Sequence, residues 1–261
     1  QARTILSAFT STIDSGKTVS DIIAAGIIPS MMEFLDNTTI RCVEEYSKIG
    51  LDTTATAILL IEVDGKTNEV ELEQELIKSF CAKNNAAWIQ TASNEIEANK
   101  LKAARRAAFS ALARVSPTTI LEDATVPRSK LPEMLEAIQN IVNEEDIVLG
   151  NFGHAGDGNL HPTCLTDERD EKEIHKAEKA FDRIFNTALK LGGTITGEHG
   201  VGLAKRRFLK IQFGNVGIEL LKKLKQVWDP NNILNPVKIF TFKPNCEGTL
   251  PNSRESIKPF S

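Results

Sequence analysis

Apolar residues along this chain switch between a two-residue and a three-to-four-residue period, and the switches divide it into strands and helices. Residues 3–9 are rich in β-branched and aromatic side chains and predict a strand. A helix over 19–25 follows, broken by Gly26 and Pro29, and then a strand over 29–35. The next segments read as a helix over 39–49 stopped by Gly50, and a strand over 54–63 closed by Asp64-Gly65. Over 69–82 the stripe Val70, Leu72, Leu76, Ile77 and Phe80 has helical spacing. A strand over 87–92 leads to Asn94, which with Glu97 forms a capping box for a helix buried through Leu101, Ala104, Ala108 and Leu112.

The second half continues with a strand over 118–123, a bend at Val126-Pro127, and a helix over 131–142 that tolerates Pro132 in its first turn. An apolar strand over 146–152 comes next. The most regular helix spans 171–191 and ends at Gly192-Gly193; His175 points off its apolar stripe and reads as a solvated residue. A last helix covers 218–228 and stops at Asp229-Pro230. The pattern predicts an α+β fold, a mostly antiparallel sheet with helices laid on one face, followed by a C-terminal helical segment. Residues 1–240 read as one folded unit, and 241–261, rich in Pro, Asn, Ser and charge, as a mobile tail.

Candidate chemistry concentrates in two glycine-rich stretches, Asn151–His161 and Gly193–Gly202. They hold three of the four histidines, and nine of the sixteen glycines lie between Gly150 and Gly202. Asp157-Gly158 is a two-residue hairpin signal of type I′, which would set His154 opposite His161. Opposed residues have Cβ atoms about 4.5–5.5 Å apart, close enough for two imidazoles to meet at one metal ion. Glu198 supplies a third, oxygen ligand, and three protein ligands leave a coordination position open, as in catalytic sites. His199, beside it, is placed as a general base. The bland alternative is a glycine-rich turn with satisfied loop histidines.

Arg105 points within about 40° of the buried stripe of its helix. Its planar fork suits a carboxylate, either a ligand's or a protein partner's. Lys205-Arg206-Arg207 reads as a solvated loop. The four cysteines (Cys42, Cys81, Cys164, Cys246) form no metal or redox spacing and suit a reducing compartment; Cys164 reads as a half-buried strand thiol.

Gly153-His-Ala-Gly-Asp-Gly-Asn-Leu-His161, Gly197-Glu-His-Gly-Val-Gly202 and Asp229-Pro-Asn-Asn-Ile-Leu-Asn-Pro236 resemble the C-terminal domain of flavin-linked 2-hydroxyacid oxidases and dehydrogenases, a family that includes glycolate oxidase and D-lactate and D-2-hydroxyglutarate dehydrogenases. The resemblance runs from about Arg3 to about Ile239. It implies a ferredoxin-like cap, with an N-terminal FAD-binding domain that lies outside this chain and acts in cis or in trans. It implies a divalent metal (Zn, Mn or Fe) on His154, His161 and Glu198, and His199 as the base. Arg105 would bind the substrate carboxylate, and Asn235 is a possible flavin contact. The expected reaction is oxidation of a small 2-hydroxy acid to the 2-oxo acid with hydride transfer to FAD, with an electron-accepting subunit as a further partner and little turnover by this chain alone.

Net charge of −4 and a pI near 5.7 give no reason for a nucleic-acid partner, and no apolar run of 18 residues predicts a transmembrane helix. No signal peptide is read at the N-terminus, and the expected location is cytoplasmic, with any membrane association peripheral and through partner subunits. Two rival classes share the ligand chemistry. One is a flavin-independent metalloenzyme: a non-haem iron oxygenase, which would place its ligands in a β-barrel, or a zinc hydrolase using Glu198 and His199. The other is a non-catalytic metal-binding module.

Overall fold

The computed structural model describes residues 1–240, and the predicted tail lies outside them. Strands β1 (Ala2–Phe9), β2 (Met31–Asp36) and β3 (Ala57–Asp64) send successive side chains to opposite faces of one sheet and are buried along most of their length. With β4 (Ala86–Thr91), α1 (Thr12–Ala24) and α3 (Thr67–Lys83), these strands form a ferredoxin-like β-α-β-β-α-β unit in the order β4-β1-β3-β2. The sheet then continues through β7 (Val148–His154) and β8 (Asn159–Thr166) to β5 (Thr118–Leu121), with β6 (Ala124–Thr125) pairing on β8. Every pairing is antiparallel.

Helices cover both faces, not one. On the first, α1, α3, α6 (Leu131–Glu145) and α7 (Glu171–Lys190) close a core that includes Phe9, Ile22, Phe34, Ile61, Ile138 and Phe181. On the second, α2 (Asn37–Ser47), α4 (Glu95–Arg106) and the short α5 (Ala108–Leu112) pack on Leu6, Leu35, Ile58, Leu60 and Phe152. The expectation of a single covered face missed how apolar β3 is throughout: Ala57 to Ile61 are all buried. A strand apolar on both faces needs cover on both. The open sheet, with edges at β4 and β5, is not the barrel that the iron-oxygenase reading requires.

Several boundaries depart from the periodicity: the helix read through Leu112 divides at Ala107 into α4 and α5, β3 starts at Ala57 rather than 54, and two helix starts move. α1 begins at Thr12 rather than at 19, because Ser11 caps it by accepting the Asp14 N–H. Gly16 inside this helix lets it approach α6 so closely that a Cβ there would stand 2.9 Å from the Pro132 Cα. The last helix, α8 (Leu209–Trp228), starts nine residues early and is interrupted at Gly214, whose φ of 64° leaves the helical region.

Candidate functional site

The β7–β8 connection is not the two-residue hairpin expected. Only Gly158 has positive φ, whereas a type I′ turn needs it at both central positions. Ala155–Asp157 form a 3₁₀ turn around the buried Ala155, and the observed pairs are Phe152 with His161 and Asn151 with Pro162. His154 lies in register with Glu33 of β2 instead. The imidazoles still meet, because Phe152 and His154 share a face and His161 stands diagonally across from His154. Their ring centroids are 5.4 Å apart, edge to face. Gly153 permits the tight passage: a Cβ on it would lie 2.3 Å from the Asn159 carbonyl oxygen.

Glu198 and His199 arrive on the loop after α7. Its start is pinned by Thr125 and Thr194, which exchange backbone hydrogen bonds of 3.1 and 2.8 Å. Gly197 presses against Thr125 and Asn159 with no room for a side chain. Glu198 Oε1 then stands 3.0 Å from His161 Nε2 and 3.7 Å from His154 Nε2, with His199 Nε2 at 3.8 Å. His199 stacks on His161 at 5.0 Å between centroids, nearly parallel.

The donor set suits a metal ion. One ligand atom from each of His154, His161 and Glu198 lies within 4.8 Å of the others. Bonds of about 2.0–2.2 Å in tetrahedral geometry separate donors by roughly 3.3–3.6 Å, a spacing that the observed 3.0 and 3.7 Å bracket.

The environments of His154 and His161 differ. His161 is 4% exposed, and burial, with the neighbouring His199 and His154, brings its pKa down to about 4. Its Nδ1 is buried without a partner, so the ring offers Nε2. His154 is half-exposed, and its Nδ1 meets Glu33 Oε1 at 2.9 Å. That bond raises its pKa, partly opposed by burial. A carboxylate on Nδ1 leaves Nε2 turned toward Glu198, the arrangement that orients a metal-ligating histidine.

The same Glu33 takes Arg105, whose Nε and Nη2 both stand 2.8 Å from Oε2. The guanidinium also covers the Phe152 ring at 5.0 Å. Arg105 therefore sits beside the centre and already holds one protein carboxylate. Asn235, by contrast, lies exposed on the turn after α8, and its backbone carbonyl accepts the Lys238 N–H. The fold gathers His154, His161, Glu198, His199 and Arg105, and leaves Asn235 outside that group.

Two carboxylates escaped the sequence reading. Glu33 was visible only as an acid inside an apolar strand, Met31-Met32-Glu33-Phe34-Leu35. Asp123, fully buried, accepts the Gly197, Glu198 and His199 N–H groups and the Thr196 hydroxyl. Burial by itself would raise its pKa; these hydrogen bonds outweigh burial and hold it near 2. Lys205, expected in solvent, is buried on the Asp123 carbonyl and Glu122, because the chain folds it back beneath the loop. His175 is exposed, as expected; Cys164 is a strand thiol, as expected, but fully rather than half buried, and burial raises it to about 11.

Residues 1–239 match the family described as FAD linked oxidases, C-terminal domain. Glycolate oxidase subunit GlcD of Bacillus subtilis (strain 168) is 53% identical over 238 residues, 91% of this chain and 51% of that protein. The subunit of the same name from Escherichia coli (strain K12) is 38% identical, covering 91% and 48%. A probable mitochondrial D-lactate dehydrogenase of Danio rerio is 30% identical over 84% and 44%. The chain thus spans about half the length of these relatives. In fold it is similar to 4-ethylphenol oxidase from Gulosibacter chungangensis, with a TM-score of 0.68 at 16% identity over 94% of this chain and 54% of that one. With the family's match covering nearly every described residue, the chain belongs to the FAD-linked oxidases, as their C-terminal domain.

Proposed function

We propose that this chain is the substrate- and metal-binding part of a flavin-dependent oxidoreductase that converts a small 2-hydroxy acid, of glycolate or D-lactate type, to the 2-oxo acid. The observation that carries the reading is the convergence of His154, His161 and Glu198, with His199 stacked on one ligand and Arg105 alongside. Its similarity to glycolate oxidase subunits supports the substrate class.

His154, His161 and Glu198 would hold a divalent Zn, Mn or Fe ion. When bound, the metal supplies Lewis acidity toward the α-hydroxyl and FAD supplies the acceptor for the Cα hydride. The chain's own residues do the rest. Arg105 keeps Nη1 beyond the two atoms that meet Glu33, and that edge takes the substrate carboxylate. Fixing the carboxylate fixes which face of Cα is presented. His199, at the exposed side of His161, takes the hydroxyl proton at Nε2. Glu33 holds His154 and Arg105 together, so ligand and substrate clamp share one anchor.

The partner in this reading is a FAD-binding domain, in cis or in trans, with an electron-accepting subunit beyond it. The exposed apolar face of α8 supports such a partner: Val216, Leu220, Leu224, Val227 and Trp228 recur at helical spacing, with Val216 84% and Trp228 83% exposed. Among the described residues no helix is long and apolar enough to cross a membrane, which is compatible with a cytoplasmic, peripherally attached complex. The test is reconstitution with the flavin-binding half of a glycolate oxidase subunit. Glycolate or D-lactate should bleach the flavin absorbance near roughly 450 nm, and a His199→Ala chain should not support bleaching. A complex that binds flavin but is reduced by no 2-hydroxy acid would overturn the reading.

A further inference from the structure

The loop that presents Glu198 and His199 has no regular structure of its own between the bridge at Thr194 and the turn at Arg206. One buried side chain gathers the amides at its turn. Asp123, between β5 and β6, is completely enclosed, and burying a carboxylate is costly unless its oxygens are satisfied. Among the described residues, backbone amides and a hydroxyl satisfy them, with no cation on the carboxylate. Oδ2 accepts the Thr196 hydroxyl at 2.6 Å and the Gly197, Glu198 and His199 N–H groups at 2.9 Å each; Oδ1 accepts Gly197 N–H again at 3.0 Å. Three successive amides turned toward one point form an anion-binding nest, and the anion in it is the protein's own.

The scaffold behind Asp123 is also tied down. Its backbone carbonyl accepts Lys205 Nζ at 2.9 Å, and Lys205 pairs with Glu122 at 3.1 Å and lies over the Phe185 ring. Thr196, while donating to Asp123, accepts the Gly200 N–H at 2.9 Å, closing the far side of the same turn. Two of the three amides held belong to the oxygen ligand and the base of the centre, whose own side chains are 49% and 36% exposed. Among the described residues, the Asp123 carboxylate is the group that the Glu198 and His199 amides are hydrogen-bonded to.

We infer that Asp123 is a positioning residue that sets the stance of Glu198 and His199 through their backbone amides and so governs metal affinity without touching the metal. The inference rests on the proposed metal centre. Its test is zinc affinity, by competition with a chromogenic chelator, for wild type, Asp123→Asn, Glu198→Ala and the double variant. Asp123→Asn keeps the shape but sets an amide donor against the N–H groups. It should weaken zinc binding about 10–100-fold, as outer-shell changes do, and add almost nothing once Glu198 is removed. Wild-type affinity in Asp123→Asn, or losses that multiply in the double variant, would overturn the inference.

If Asp123→Asn does not fold, Thr196→Val removes one bond without disturbing the carboxylate. It should give a smaller loss of affinity that again disappears in the Glu198→Ala background; a loss that persists there would contradict the claim. If wild type binds no zinc, the metal reading falls and amide hydrogen exchange decides the role of Asp123. Faster exchange at Gly197–His199 in the variant, with β7 and β8 unchanged, supports it, and unchanged exchange at those three amides refutes it.

Discussion

One ring of the centre serves two masters: His154 gives Nδ1 to Glu33 at 2.9 Å and faces Glu198 with Nε2 at 3.7 Å. Glu33→Gln keeps the shape of the side chain and removes its charge from both His154 and Arg105. Zinc affinity should fall by about tenfold or more; an unchanged zinc titration would show that Glu33 does not orient the ligand. Arg105→Lys keeps a positive partner for Glu33 but loses the fork. In the reconstituted enzyme it should raise KM for the 2-hydroxy acid about tenfold or more while leaving metal content intact, since a bidentate contact is reduced to one; equal KM values would remove Arg105 from substrate binding. At this scale the sequence was legible wherever a scarce residue type stood among glycines, as His154, His161, Glu198 and His199 do. Glu33 and Asp123 were not, because one acid in or after an apolar strand looks the same whether it ends the strand or anchors a site.

Among the elements, the strands and most helices could be read from periodicity, and the errors have physical causes. The start of α1 was not read because its first turns, Thr12 to Thr18, hold Gly16 and polar residues in place of an apolar stripe; the missing side chain of Gly16 admits Pro132. Gly16→Ala should gain about 1 kcal/mol of helix propensity but meet Pro132 backbone atoms at 2.9–3.0 Å. Overpacking of that kind costs about 1–3 kcal/mol, so the melting temperature should drop; a rise would mean the crossing of α1 and α6 can widen freely. α1 is also tied to the end of α3 through Asp21, which accepts from Asn84 at 2.9 Å and Lys83 at 3.0 Å. The Asn84 bond, followed by Lys83, lowers its pKa in the folded chain. A depressed carboxyl stabilises above its unfolded pKa of about 3.9, and that stability is lost as pH falls through the folded value. The gap between wild type and Asp21→Asn in urea midpoint should therefore be open at neutral pH and close in acid; a gap independent of pH would contradict the assignment. The hairpin was misjudged because Asp157-Gly158 carries the signal of a tight turn while Ala155 is drawn into the core, which lengthens the connection without parting the imidazoles.

For the molecule as a whole, the sheet brings together residues from β2, β7, β8, α4 and the loop after α7, and only that assembly makes a centre of them. The two glycine-rich stretches singled out His154, His161, Glu198 and His199, which lie together in the fold, while Asn235 of the third motif does not join them; the covering of both sheet faces and the anchors Glu33 and Asp123 emerged only once the strands were ordered. The account stands on a metal held by His154, His161 and Glu198, and elemental mass spectrometry addresses that directly. Wild type, after incubation with Zn or Mn and removal of excess, should carry near one equivalent (about 1:1, as for one three-ligand site). A His154→Ala/His161→Ala variant with unchanged circular dichroism should carry essentially none. A wild-type chain that retains no metal, or a double variant that retains as much as wild type, would contradict it.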